Sequence, residues 1–287
     1  MPWLERLGGD PALLTWVAVA ALVEAAMYAS MARESWRRRW QRRMLVVAAP
    51  LSCALYHVAL PVSSLKSVLG LGAMAAVFVG LSPSLSRRRH GWIWVSALAA
   101  APILLKTFRL LYPPAGELRM EFLGQLMWIR TTVITVLRDL ELEGVHFGFW
   151  PRAREWKTGF LYFVLLMPVA LGLAWATGFA QPALPEGPWT WTAARAAAAF
   201  FGILWVVALS EEFFFRGLLQ PRIGLWAASA LFGLAHLGFR EFPNWRFALI
   251  AAAAGVFYGL AYRAGGGIRA SMVTHALAVT AWRTFFR

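Results

Sequence analysis

The sequence is short of charge and nearly free of cysteine. Only 15% of its 287 residues are charged, and it has one cysteine. Cys53 alone excludes an intrachain disulfide and leaves the redox compartment open. Acid is the scarcer sign, with 14 Asp and Glu against 28 Lys and Arg, for a formal net charge of +14. Also missing is any alternation of apolar and polar residues in segments of about ten, which excludes a transmembrane β-barrel. No H-E-x-x-H signature occurs, and no serine or cysteine nucleophile stands beside a base. Ser210 precedes two glutamates, where it serves equally well as a small helix-packing residue.

What is present is apolar. Hydrophobic residues make up 60% of the chain, and the mean hydropathy is +0.57. Helices need about 20 apolar residues to cross a bilayer, and such runs recur along the whole length. The expected fold is all-α, a polytopic integral membrane protein of about ten transmembrane helices. The expected spans are 11–31, 44–63, 67–83, 91–106, 120–137, 159–180, 192–215, 224–239, 246–262 and 269–285.

The positive charge lies in clusters between these runs, as in "RESWRRRWQRR" (33–43) and "RRRH" (87–90). That is the pattern of cytoplasmic loops, not of a nucleic-acid-binding surface, so the bilayer and not nucleic acid is the expected partner. Sixteen tryptophans, many near span ends, fit aromatic belts. The first run follows Glu5, Arg6 and Asp10 and precedes the arginines, so it reads as a retained span with the N-terminus outside. The segment 138–158 is polar and aromatic and reads as a cytoplasmic linker or interfacial segment. It separates an N-terminal transmembrane region, 1–137, from a C-terminal core, 159–287.

Ionisable residues inside a membrane are costly and mark sites or pathways. In the C-terminal half these are Glu211, Glu212, Arg216, His236 and His275. Glu212 and Arg216 are four apart and share a helix face, which favours an ion pair. Glu211 has Val207 and Phe215 at the corresponding positions, so its counter-group must come from another helix. That environment suits a general base. His236 and His275 each read equally as packing residues or as site residues. All three groups lie roughly 9–15 Å below one and the same membrane face at 1.5 Å per residue, which implies a common polar cavity.

Three motifs then stand in order. Glu211-Glu212 with Arg216 fits E-E-x-x-x-R, Phe232 and His236 fit F-x-x-x-H, and His275 opens H-x-x-x-(Asn/Asp). Over about 155–287 the chain resembles the CPBP family of intramembrane glutamic proteases, related to the Rce1-type CaaX prenyl endopeptidases. Residues 1 to about 120 carry no part of the resemblance.

The resemblance implies an endopeptidase without cofactor or metal, acting on a membrane-associated protein or peptide without an acyl-enzyme. Glu211 would activate water, His236 would hold it, and His275 would steady the oxyanion. Glu212, Arg216 and Phe232 would support them. Val279 stands where the family has Asn or Asp, so Thr274, Thr280 or a backbone N–H would replace that donor.

Two histidines and a glutamate also match catalytic zinc ligands in type, and a non-catalytic scaffold, immunity factor or ion-coupled transporter could use the same cluster. The family's spread points to a bacterial inner membrane. Prenylated termini, leader peptides and C-terminal sorting tails, as in myxosortase-like members, all remain open as substrates. Oligomeric state is open as well.

Overall fold

A computed structural model describes residues 11–58, 64–112, 114, 118–142, 144–179 and 181–286. The acidic N-terminal residues Glu5 and Asp10 and the end of the second expected span lie outside these residues. The described chain is all-α and forms two units, Met1–Glu141 and Leu142–Arg287. Among the described residues five helices are long and apolar enough to cross a membrane, with Gly91–Leu104 a shorter apolar helix. The chain is an all-α polytopic membrane protein.

The first unit holds α1 (Pro11–Ala29), α2 (Arg42–Ala48), α3 (Leu51–His57), α4 (Ser64–Ser86), α5 (Gly91–Leu104), α6 (Thr107–Leu111) and α7 (Glu121–Asp139). The expected span 44–63 is not one helix. Pro50 has no N–H to donate and its ring crowds the preceding turn, so the chain breaks into α2 and α3.

The expected span 120–137 is a helix that turns three of its polar residues inward and leaves Gln125 exposed. Arg130, Thr131 and Thr135 are buried with Leu123, Met127 and Ile134. Arg130 meets Glu24 of α1 at 3.2 Å, and both side chains are fully buried. An unpaired charge there would carry the full desolvation cost, so each residue requires the other.

The second unit holds α8 (Ala153–Ala176), α9 (Trp189–Gly202), α10 (Leu209–Glu212), α11 (Gln220–Ala235), α12 (Trp245–Gly265) and α13 (Ile268–Phe285). Wider π-type turns at Ile203–Ala208 and Phe213–Leu219 flank α10, so Trp189–Ala235 winds on for 47 residues. A straight helix of that length would run about 70 Å, more than twice the hydrocarbon thickness of about 30 Å. It is interrupted at Gly224, where φ +83° and ψ 167° leave the helical region. Only glycine takes that conformation without strain. The sequence places its span break in the same segment, between 215 and 224.

Helix α12 packs on α8, α11 and α13. Its buried face is mostly small, with Ala248, Ala251, Ala254, Gly255, Gly259 and Ala261 beside Ile250 and Tyr258. In a membrane, where lipid is as apolar as leucine, close approach of small residues supplies the packing energy. Gly233 of α11 shows how close: a Cβ there would lie 2.6 Å from the Ala248 carbonyl oxygen and 2.7 Å from the Ala252 Cβ.

At the other contact, Glu155 caps α8 by accepting from the Arg152 N–H at 2.5 Å. The same carboxylate takes Arg269 at 2.7 Å and so joins the starts of α8 and α13. The helix expected at 224–239 ends at Ala235. The chain then turns through 236–244 before Asn244 caps α12 by accepting from the Phe247 N–H at 3.1 Å.

Gly233→Val is expected to force α11 and α12 apart and cost about 1–3 kcal/mol. A thermal-unfolding midpoint in detergent equal to that of the wild type would contradict the close approach.

Candidate active site

The early end of α11 gives His236 its position. As the residue that closes α11, it hydrogen-bonds through Nδ1 to the Phe232 carbonyl at 2.7 Å. A carbonyl oxygen only accepts, so Nδ1 carries the proton and Nε2 is turned toward the site. The bond satisfies one of the carbonyls that a helix end leaves unpaired.

Glu211 and Glu212 differ sharply in environment. Glu212 is fully buried. It pairs with Arg216 at 3.2 Å and accepts from His275 Nδ1 at 2.8 Å. Arg216 is fully buried too and donates onward to the Gly255 carbonyl of α12 at 3.0 Å. Its guanidinium lies 4.5 Å from the centre of the Phe232 ring and 5.3 Å from that of Tyr258. A cation held by a carboxylate, a carbonyl and two ring faces has its desolvation offset on every side.

Glu211 keeps 30% of its side chain exposed and stands between the histidines. Its Oε2 lies 3.9 Å from His236 Nε2 and 3.9 Å from His275 Nε2. These spacings exceed a direct hydrogen bond, and both ring nitrogens face one carboxylate oxygen. That oxygen accepts no hydrogen bond from the described residues. Three helical stretches thus bring Glu211, His236 and His275 together, with Glu212 and Arg216 directly behind them.

Phe232 packs edge-on to His275, with ring centres 5.9 Å apart, and lies 4.6 Å from His236. It therefore touches both histidines and Arg216. Tyr258 escaped the sequence reading. Its ring stacks on His275 at 4.6 Å with planes 12° apart, which fixes the imidazole plane. Its only sequence signal is an aromatic hydroxyl set between Gly255 and Gly259 in an alanine-rich span.

The Thr274 hydroxyl donates to the Gly159 carbonyl of α8 at 3.0 Å and lies 3.2 Å from the Ala270 carbonyl, so it is engaged in helix packing. Thr280 has a buried hydroxyl without a partner among the described residues. Five residues beyond His275, it lies about 140° around the helix from it. Val279 stands one turn past His275 on the same helix face. Among the described residues no three His, Cys, Asp or Glu side chains form a metal cage.

Residues 193–281 match the model of the Rce1-like family, described as type II CAAX prenyl endopeptidase Rce1-like. A relative from Bacillus subtilis (strain 168), an uncharacterized protein named YpbD, is 37% identical over 70 residues. That match covers 24% of this chain and 36% of the relative, so the two share only a segment of their lengths. No solved structure matches the chain significantly. The resemblance announced by the three motifs therefore holds where the site is built, and residues 193–281 are an Rce1-like segment.

Proposed function

We propose that the protein is an intramembrane endopeptidase that hydrolyses a peptide bond of a membrane-associated protein or peptide. One observation carries the reading: two histidine Nε2 atoms face the same Glu211 oxygen, each 3.9 Å away. The Rce1-like match over 193–281 supports it at the level of the family.

Peptide hydrolysis needs a base, a positioned water and a donor for the developing oxyanion. Glu211 takes a proton from the water, and the resulting hydroxide forms the new C–O bond at the scissile carbonyl. His236, with its proton fixed on Nδ1, offers the Nε2 lone pair to the water's second hydrogen. His275 in its protonated form donates from both nitrogens, from Nδ1 to Glu212 and from Nε2 to the oxyanion. The proton held by Glu211 passes to the leaving amine as the C–N bond breaks. No covalent acyl-enzyme forms. Glu212, Arg216, Phe232 and Tyr258 hold the two imidazoles in place. With Thr274 engaged by carbonyls and Thr280 turned about 140° around the helix from His275, a backbone N–H stands in where Val279 gives no donor.

The basic clusters support an orientation with the N-terminus outside and Arg222, Arg263 and Arg269 inside. A bacterial inner membrane is the proposed home. Val279 is the observation that favours the second reading, a non-catalytic scaffold, immunity factor or ion-coupled transporter built on the same cluster.

The two glutamates give separable outcomes. Glu211→Gln should lower cleavage of a reconstituted substrate by about 10²–10⁴-fold, the usual worth of a general base, without lowering the unfolding midpoint. Full cleavage by that variant, or loss of ion flux from a protein that cleaves nothing, would refute the protease reading. Glu212→Gln should instead lower both activity and stability, the latter by about 3–5 kcal/mol, because Arg216 is left buried without a counter-charge. Chelator treatment should leave cleavage unchanged. Loss on chelation with recovery on added zinc would place the chemistry on metal-bound water.

A further inference from the structure

At the other end of α13 from Arg269, the second unit holds a cavity of about 590 Å³. Its wall includes Leu184, Glu186, Thr192, Arg195, Ala199 and Arg283. Thr192, Arg195 and Ala199 are three and four apart on α9, so one stripe of that helix forms one side. The opposite side is the end of α13.

The segment before α9 is pinned to the end of α13. The Ala183 N–H donates to the Phe285 carbonyl at 2.8 Å, and Pro182 bridges to Phe286. Two arginines against one glutamate make the cavity net cationic. Thr192 is 5% exposed, and its hydroxyl has no hydrogen-bond partner among the described residues. A buried polar group of that kind calls for a partner. An oxygen-rich anion between Arg195 and Arg283 would supply it.

The surroundings identify the anion's carrier. Helix α9 opens with Trp189 and Trp191, exposed by 62% and 69%, and Leu184 on the cavity wall is 78% exposed. Exposed tryptophans at the end of a membrane helix mark the headgroup level. A cationic cavity with an apolar lip at that level suits a molecule with a charged head and a hydrocarbon tail. We propose that this cavity binds the phosphate headgroup of an anionic phospholipid, with Arg195 and Arg283 on the phosphate and Leu184 against the acyl chain. The site belongs to the same helices as the catalytic candidates, since Arg283 lies eight residues, about 12 Å, beyond His275 on α13. It does not depend on the endopeptidase reading.

The test uses the full chain in detergent, offered equal amounts of phosphatidylglycerol and phosphatidylcholine, with retained lipid counted by native mass spectrometry. The wild type should retain phosphatidylglycerol preferentially. Arg195→Gln and Arg283→Gln should each reduce that retention about fivefold, the worth of one basic side chain near a lipid surface. Arg154→Gln with Lys157→Gln, which removes two positive charges at the opposite end of the unit, should leave it unchanged. Thr192→Val, which removes only the hydroxyl, should weaken retention and keeps the test open if the arginine variants fail to fold.

Equal retention of both lipids, or equal loss in the Arg154/Lys157 variant, would overturn the proposal. Displacement of the lipid by equimolar inorganic phosphate would reassign the cavity to a soluble anion, and displacement by an acidic peptide terminus would reassign it to a protein ligand.

Discussion

The fully buried pairing of Glu212 with Arg216 holds the second unit's polar centre together. Neither charge could remain there alone, because removing an ion from water costs several kcal/mol that only a close partner offsets. The pair then recruits its neighbours. Arg216 reaches the Gly255 carbonyl of α12, and Glu212 takes the Nδ1–H of His275 from α13. One salt bridge on a single helical stretch thereby fixes two further helices. With His275 Nδ1 occupied, its Nε2 is left for Glu211.

The two glutamates make different use of adjacency. Neighbouring residues on a helix point about 100° apart, so one can be sealed into packing while the other keeps an open side. Glu212 is sealed, and Glu211 retains 30% exposure beside two ring nitrogens. The wide turns on both sides of α10 sit at this pair. Such turns concentrate at functional sites because they shift a few side chains out of the regular helical register. The small-residue face of α12 makes the whole arrangement compact enough for side chains of four-residue spacing to reach across.

The first unit solves the same physical problem with a different result. Glu24 and Arg130 form a fully buried pair between α1 and α7, and Trp40 stacks on the guanidinium at 4.8 Å. A polar helix that falls short of a membrane span by composition is accommodated because its polar stripe faces a partner instead of lipid.

The sequence alone determined the all-α membrane class, since 18 or more apolar residues in succession have few other uses in water or lipid. It also separated the two glutamates, because helical spacing gives Glu212 a partner in Arg216 and gives Glu211 none. Its spans mostly became helices, with Pro50 and the chain turn after Ala235 as exceptions that local periodicity did not register.

Only the tertiary structure decided that His236 closes a helix instead of sitting within one. It also decided that His275 is held by Glu212 and that Tyr258 covers its ring. Those facts depend on contacts between residues up to 63 apart in the chain. A hydrophobic period records which side of a helix is buried, and it carries no information about which helix lies against that side.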